Sequence, residues 1–223
     1  MDMATEFPNT QFIGVDKTPL FPEAIRPPNA SFRLLDVVEG LPFEDNSFDL
    51  INTRLFLLDL HPEFWSDFIK EVLRVTKPGG LFQMMEHQVI DEGDEVVQDF
   101  STRVEEMMAK EGIDARVCDK LDVLLGESGF IPKQAMVKSI PLSKCVLCNP
   151  VYSFPCYIEG HVLSDEFMYV LDILFDMARW VAYAAYNISS ETEYQIAKRR
   201  YMQSRRESST TTWHYIVGQK PVS

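Results

Sequence analysis

Basic residues are scarce in this chain. Of its 223 residues, 21 are lysine or arginine and 34 are aspartate or glutamate, which gives a formal net charge of -13. A protein that binds nucleic acid needs a basic surface to neutralise phosphates, so this charge argues against nucleic-acid contact. It also disfavours binding to anionic membrane surfaces. The remaining composition, 46% hydrophobic and 25% charged, is typical of a globular domain.

Glycine is missing where nucleotide-binding loops need it. The chain has 10 glycines, but the pattern Gly-x-Gly does not occur in the sequence. A glycine-rich turn lets the backbone approach a nucleotide closely, because glycine has no Cβ atom. The sequence therefore argues against a dehydrogenase that uses the dinucleotide-binding fingerprint.

Long uninterrupted apolar runs are also missing. The most apolar stretch, residues 167–186, contains Asp172, Asp176 and Arg179. A bilayer span of about 20 residues tolerates such charges poorly. The first residues are acidic and do not resemble a secretory signal, which has a basic start and an apolar core. We therefore expect a cytoplasmic protein without membrane contact, and the nucleus stays open as a location.

Only four cysteines are present, and reduced thiols are expected in a chain without export signals. Cys145 and Cys148 have the spacing of zinc ligands, and Cys156 and His161 follow them, so a zinc site is one interpretation. The flanking residues are apolar and a second Cys-x-x-Cys pair is absent, which favours buried or loop cysteines. The sequence therefore predicts no metal site.

Strand-like and helix-like segments alternate along the chain. Pro62 suits the first position of a helix, and His61 before it suits the cap. Apolar and β-branched runs indicate strands at 11–16, 32–37, 48–52, 81–85, 133–140 and 211–217, and helical patterns cover 62–75, 96–110 and 119–128. This alternation predicts an α/β fold, a mostly parallel sheet with helices on both faces, in one domain spanning 1–223. Residues 141–210 are expected to form an irregular or helical insertion, or a lid.

A basic helix is predicted within that insertion. Ser190 and Glu193 have the spacing of a capping box. The basic residues near the other end of the helix are Lys198, Arg199, Arg200, Arg205 and Arg206. We expect them to form a solvated face that complements the helix dipole, with nucleic-acid contact as the weaker alternative.

Acidic residues follow several of the predicted strands. In parallel sheets the ligand crevice lies at the carboxyl ends of the strands. Asp16, Asp36, the residues after Asn52, and Glu86 with His87 are therefore expected to face one crevice. We also expect the strands that end at these positions to share a single sheet.

Three motifs in this region occur in a recognisable order. They are DVVEGLPF at residues 36–43, NSFDLI at 46–51 and EVLRVTKPGG at 71–80. Together they resemble the middle of a class I S-adenosylmethionine-dependent methyltransferase, most of all the fungal group related to regulators of secondary metabolism. The resemblance implies a Rossmann-like fold, S-adenosyl-L-methionine as cofactor, and a final antiparallel strand at the sheet edge.

The resemblance also implies roles for individual residues. Asp16 and Lys17 match the position that binds the ribose hydroxyls, and Asp36 with Val37 matches the adenine position. Arg54 lies in the segment beneath the methionine end of the cofactor. Each residue also has a simpler interpretation: the two acids as turn formers at strand ends, and the arginine as part of a structural ion pair.

His87 is the histidine best placed for acid-base work. An unperturbed imidazole titrates near pH 6.5, and methyl transfer needs a base when the acceptor must lose a proton. We retain His87 as a weak catalytic candidate, because a lone histidine at a strand end is more often structural. The catalytic residues are otherwise unknown.

The first strand and glycine-rich loop of the family have no counterpart in residues 1–223. In the family this strand is central, between the strand that ends at Asp16 and the strand that ends near Asn52. We therefore expect an N-terminally incomplete family member that transfers methyl groups poorly by itself. A protein partner that donates a strand to the sheet is one way in which the missing strand could be replaced. The acceptor is an unidentified small molecule or protein. The alternative is a non-catalytic interaction or regulatory protein that retains the methyltransferase scaffold.

Overall fold

The structure is a computed structural model of the chain. It describes residues 2–19, 21–22, 26–57, 60–142, 168–173, 175–176 and 179–222. The cysteines and the histidine considered as zinc ligands lie outside these residues: Cys145, Cys148, Cys156 and His161. Residues 143–167, 174, 177 and 178 of the predicted insertion or lid lie outside them as well. Within the described residues, no helix is long and apolar enough to cross a membrane.

Helices and strands alternate along most of the described chain. The strands are β1 (Phe12–Asp16), β2 (Ala30–Leu34), β3 (Phe48–Arg54), β4 (Thr76–His87), β5 (Ile131–Pro141) and β6 (Thr210–Gln219). The helices are α1 (Asp2–Glu6), α2 (Pro62–Val75), α3 (Glu95–Lys110), α4 (Leu121–Glu127), α5 (Arg179–Tyr186) and α6 (Glu191–Ser208). Short 3-10 turns occur at Val37–Glu39 and Val117–Lys120.

The strands form two sheets. β1 and β2 pair in parallel, and the second sheet has the order β3-β4-β6-β5. β3 and β4 are parallel, whereas β6 runs antiparallel to β4 and β5, as predicted for the last strand. Its predicted place at the sheet edge is wrong, because β5 pairs with its outer side and forms that edge. The expectation of a single sheet is therefore wrong for the described residues. The two sheets are separate because no strand lies between β1 and β3 in the part of the chain that the structure describes.

Helix α2 forms where its pattern predicts it, and it packs on the sheet. Its buried face consists of Trp65, Phe68, Ile69, Val72 and Val75. Each large apolar side chain buried in this way contributes about 1.5–3 kcal/mol. Pro62 occupies the first turn as expected. His61 occupies the N-cap position, as predicted, but its side chain makes no capping hydrogen bond.

Arg74, in the last turn of α2, fastens the loop that precedes β3. Its guanidinium group donates to the carbonyl oxygens of Leu41 and Phe43 at 2.8 and 2.9 Å. It also forms ion pairs with Glu71 and Asp45. The hydrogen bond from Arg74 holds the pKa of Glu71 below its ordinary value. These contacts fix the start of β3 relative to α2.

Two strand boundaries differ from the predicted ones. β2 ends at Leu34 rather than continuing to Val37, because Asp36 caps the following 3-10 turn by accepting a hydrogen bond from the Val38 amide. β4 begins directly after α2, at Thr76 rather than at the predicted residue 81, and therefore includes Gly79 and Gly80. Gly79, with a φ of 78°, allows its amide to donate to the Lys220 carbonyl oxygen at 3.0 Å.

The basic helix α6 is more buried than its composition suggested. Its start follows the prediction, because the Ser190 hydroxyl oxygen accepts a hydrogen bond from the Glu193 amide at 3.3 Å. Lys198, however, is buried and forms ion pairs with Asp172 and Asp176 at 2.9 and 2.8 Å. Arg205 is fully buried and pairs with Asp91. The expected solvated face is therefore wrong for these two cations, which tie α6 to the segments beside it.

Candidate cofactor cleft

The carboxyl ends of β1, β2 and β3 meet at one cleft. It is lined by Val15, Asp16, Lys17, Leu35, Asp36, Val37, Val38, Arg54, Leu55, Phe56 and Leu60. All five residues predicted to bind the cofactor belong to this set: Asp16, Lys17, Asp36, Val37 and Arg54. The structure thus brings these residues together, although their binding roles stay predictions.

The two aspartates at the cleft have the same local geometry. Oδ1 of Asp16 accepts a hydrogen bond from the Thr18 amide at 2.8 Å, and Oδ1 of Asp36 accepts one from the Val38 amide at 3.1 Å. Each carboxylate is therefore oriented by the main chain two residues further on. A carboxylate offers about four acceptor sites, so both side chains keep capacity for ligand hydroxyl or amine donors.

The third wall of the cleft is the loop that follows β3, and Glu86 holds it in place. The Glu86 carboxylate accepts hydrogen bonds from the amides of Phe56 and Leu57, both at 3.1 Å. The Leu55 amide donates to the Met85 carbonyl oxygen, also at 3.1 Å, and Leu55 adopts a φ of 60°. These bonds draw the end of β3 sharply toward β4, and the resulting bend places Leu55 and Phe56 against the cleft.

The Glu86 side chain makes these contacts out of reach of water. It is fully buried. Burial raises the pKa of Glu86 to about 7, although the hydrogen bonds from Phe56 and Leu57 act in the opposite direction. The sequence indicated that Glu86 would face the crevice, but Glu86 is buried behind the loop and is not among the residues that line the cleft. Its contact with the loop backbone could not be foreseen, because the sequence does not show which amides come near a strand end.

His87 is not among the residues that line this cleft. Its Nε2 atom is 2.5 Å from the Thr211 hydroxyl oxygen, and its ring packs against Trp213. Burial, together with the charges of Arg205 and His214, lowers the pKa of His87 to about 3. A neutral imidazole in this position suits a structural contact with β6. The catalytic assignment of His87 stays a prediction that this placement does not support.

A larger cavity lies elsewhere, along α3 and α6. Its volume is about 620 Å³, and its aromatic lining includes Phe100, Phe175, Tyr186 and Tyr201. It contains none of the predicted site residues and does not lie at the ends of the parallel strands. The cleft at those strand ends measures only about 100 Å³. Ligand pockets usually enclose about 300–1,000 Å³, so the described walls form only part of a cofactor-sized site.

Comparisons with known proteins agree with this arrangement. A family model described as a methyltransferase domain matches residues 3–84. The N-methyltransferase verN of Clonostachys rogersoniana is 36% identical over 94 residues, which cover 39% of this chain and 31% of that protein. The N-methyltransferase sirN of Leptosphaeria maculans is 28% identical over 123 residues, covering 53% of this chain and 43% of that protein.

Solved structures support the fold. The YcgJ protein from Bacillus subtilis superimposes with a TM-score of 0.53 and 18% identity, covering 99% of this chain and 87% of that one. An S-adenosylmethionine-dependent methyltransferase from Methanosarcina mazei gives a TM-score of 0.52 at 14% identity, covering 100% and 88%. Residues 3–84 of this chain thus resemble a methyltransferase domain, and the chain has the fold of the class I S-adenosylmethionine-dependent methyltransferases. The predicted Rossmann-like methyltransferase fold is thereby confirmed, and S-adenosyl-L-methionine is the cofactor of the family.

The chain matches only part of the length of its curated relatives. It spans about a third of the length of verN, the first of them. The matched region, residues 3–84, contains β1 to β3, α2 and most of β4, and therefore all five predicted cofactor residues. The later helices and strands lie beyond the residues matched by the family model.

Proposed function

We propose that this protein binds S-adenosyl-L-methionine in the cleft between β1, β2 and β3 and transfers its methyl group. One observation carries the proposal. Asp16 and Asp36 stand at the ends of neighbouring parallel strands, on one cleft, each held by the amide of the residue two positions later. That arrangement suits a nucleoside, which presents a vicinal diol and an exocyclic amine as donors.

The donor and acceptor types in the cleft fit the cofactor. Asp16 would accept hydrogen bonds from the ribose hydroxyls, with Lys17 beside it, and Asp36 would accept one from the adenine amino group next to Val37. Arg54 would bind the carboxylate of the methionine moiety through paired N–H groups. When bound, the cofactor supplies an electrophilic methyl group. The loop from Leu55 to Phe56, fixed by Glu86, would then shield that end of the cleft from water.

A nitrogen nucleophile is the acceptor type that the comparisons favour. Both verN and sirN carry the description N-methyltransferase. We propose by analogy an amine of a small molecule or a protein as the acceptor for this chain. The chain would contribute orientation of the reacting groups, since methyl transfer chiefly needs an in-line approach of the nucleophile.

Calorimetry with S-adenosylhomocysteine tests the cofactor site. Asp16→Ala should weaken binding by about 1–3 kcal/mol, because ribose hydroxyls would lose their acceptor in the cleft. Asp49→Ala is a matched control, because Asp49 is an exposed aspartate on β3 that pairs with Lys77 and does not line the cleft. Equal affinities for wild type and Asp16→Ala would remove Asp16 from the site.

A second candidate function is binding of another polypeptide without catalysis. The observation that favours it is the division between β1 and β3: among the residues that the structure describes, each of these strands pairs on one side only. A labelled methyl-transfer assay separates the two candidates. An interaction protein would bind its partner and transfer no label to amines, whereas the enzyme would consume cofactor.

A further inference from the structure

A second concave surface of ligand size lies along α3 and α6. This cavity measures about 620 Å³, which is within the usual range of small-molecule pockets. Among the described residues, its lining shares no side chain with the cofactor cleft. It also lies outside residues 3–84, the part of the chain that matches the methyltransferase domain. The chemistry of the cofactor cleft therefore leaves this cavity without an assigned ligand.

The floor of the cavity is aromatic, and Phe100 on α3 is its central ring. The Phe100 ring centroid lies 4.1 Å from that of Tyr201 and 5.2 Å from that of Phe175. Both neighbours are buried, whereas Phe100 and Tyr186 are half-buried and contribute exposed surface to the cavity. Ile196 on α6 also lines the cavity, and 56% of this residue is exposed. A flat apolar ring laid on this floor would remove that surface from water, which favours binding.

Carboxylates outnumber cations around this aromatic floor. The charged side chains among the described lining residues are Glu95, Asp99, Glu193 and Arg200. The Arg103 side chain donates to Asp99 at 3.0 Å and holds the pKa of that acid below its ordinary value. The Ser189 amide donates to Glu193 at 2.8 Å and lowers the pKa of Glu193 in the same way. Arg200 acts electrostatically on Asp99. These two acids are therefore ionised at neutral pH and already have partners within the protein.

Glu95 is the carboxylate that is free to take a ligand. It lies in the first turn of α3, and its side chain is exposed. Among the residues that the structure describes, it has no hydrogen-bond or ion-pair partner. The helix dipole favours a negative charge in a first turn, which keeps the group ionised. An ionised carboxylate only accepts hydrogen bonds and a protonated amine only donates them, so the two groups match.

We propose that this cavity binds a small molecule that carries both a flat apolar ring and a protonated amine. The ring lies on the aromatic floor, and the ammonium group donates to Glu95. The π faces of nearby rings attract the same positive charge. An anion is disfavoured, because three carboxylates and only one guanidinium group are present in the described lining. The proposal concerns binding in this cavity alone, so it holds whether or not the chain transfers methyl groups from the cofactor cleft.

Three probes that share one ring and differ in charge test the proposal. They are naphthylethylamine, naphthylethanol and naphthylacetate, each substituted at the same ring position. Isothermal titration calorimetry with the whole chain at pH 7 gives the three affinities. The amine should bind at least about three-fold more tightly than the alcohol, since an exposed ion pair contributes modestly, and the acetate should bind most weakly. Added salt should reduce the advantage of the amine. Equal affinities for amine and alcohol, or no binding of the amine, would overturn the proposal.

Two pairs of variants locate the ligand. Glu95→Gln should weaken binding of the amine about three-fold and leave the alcohol unchanged, whereas Glu106→Gln, an exposed position on α3 outside the cavity, should change neither. Ala197→Phe places a ring in the cavity and should weaken all three probes at least about ten-fold, because the ligand would need the same volume. Its control is Ala184→Phe, at an exposed position on α5.

Circular dichroism checks that the four variants are folded, and the probe series on the wild type does not depend on any variant. Equal binding of the amine by Ala197→Phe and Ala184→Phe would place the ligand elsewhere and overturn the proposal. The same conclusion would follow if Glu95→Gln and Glu106→Gln bound the amine equally well.

Discussion

Glu86→Gln should change how the stability of the protein depends on pH. Glu86 is fully buried and holds the amides of Phe56 and Leu57. Its pKa rises from an ordinary value of 4.5 to about 7. At about 1.4 kcal/mol per pH unit, this difference corresponds to about 3 kcal/mol of unfolding free energy. Glutamine keeps the shape of the side chain but cannot ionise.

The sign of the effect follows from which state binds the proton more tightly. Below pH 4.5 the carboxyl group is protonated in both states and makes no difference. Between pH 4.5 and about 7 the unfolded chain releases the proton first, so the wild type loses stability as the pH rises. The wild-type free energy of unfolding minus that of Glu86→Gln should therefore fall by about 3 kcal/mol across this range.

The difference between the two proteins is the informative quantity, because the neighbouring histidine acts in the opposite direction. The pKa of His87 falls from 6.5 to about 3, so its burial makes the protein more stable as the pH rises toward 6.5. This contribution is common to both proteins and cancels in the subtraction. Urea denaturation followed by circular dichroism at intervals from pH 4 to 8 supplies both curves.

An exposed acid provides the control for this measurement. Glu44 lies in the exposed loop before β3, so Glu44→Gln makes the same chemical change without the buried contacts of Glu86. A flat difference for Glu86→Gln, or one that rises with pH, would show that the Glu86 carboxyl group is not held as we describe. S-adenosylhomocysteine binding by Glu86→Gln would then report whether the loop still walls the cleft.

Two further predictions concern packing and buried charge. Gly218→Ala should destabilise the protein by about 1–3 kcal/mol, because an added Cβ would lie 2.5 Å from a methyl carbon of Leu125. Thermal unfolding measures this loss. An unchanged melting temperature would mean that α4 shifts to make room for the methyl group. Lys198→Ala should cost about 1 kcal/mol, because it removes the cation shared by Asp172 and Asp176, whose side chains are half exposed and stay partly solvated. Arg199→Ala on the exposed face is its control, and equal urea midpoints for Lys198→Ala and wild type would contradict the pairing.

The sequence predicts local structure well where one principle dominates. Helix α2 matches its predicted range because Pro62 begins it and an apolar stripe on one face continues to Val75. The last strand also matches, since β-branched and aromatic residues fill it from Thr210. The cleft was foreseen in the same way: parallel strands must end at a shared edge, so acids at strand ends meet there.

Long-range pairing could not be predicted equally well. The alternation of strands and helices does not reveal that β1 and β3 remain apart, because strand pairing depends on a neighbour and not on local propensity. The buried cations of α6 were missed for a related reason. A run of basic residues resembles a solvated face until the carboxylates of Asp91, Asp172 and Asp176 are placed beside it. The Glu86 contact likewise depends on the spatial path of the loop.

The divided sheet also implies that the chain unfolds in steps. The β1–β2 pair is tied to the preceding segment by the side-chain amide of Asn29, whose Nδ2 donates to the carbonyl oxygens of Ala4, Phe7 and Thr10. It shares no strand pairing with the larger sheet, so this part can open as a separate cooperative unit at less than the global unfolding free energy. A ligand that spans Asp16 and Arg54 would bridge the two units. Ligand binding would then stabilise the less stable unit, which contains β1 and β2, before it stabilises the larger sheet. As the ligand concentration rises, the two unfolding transitions would merge into one.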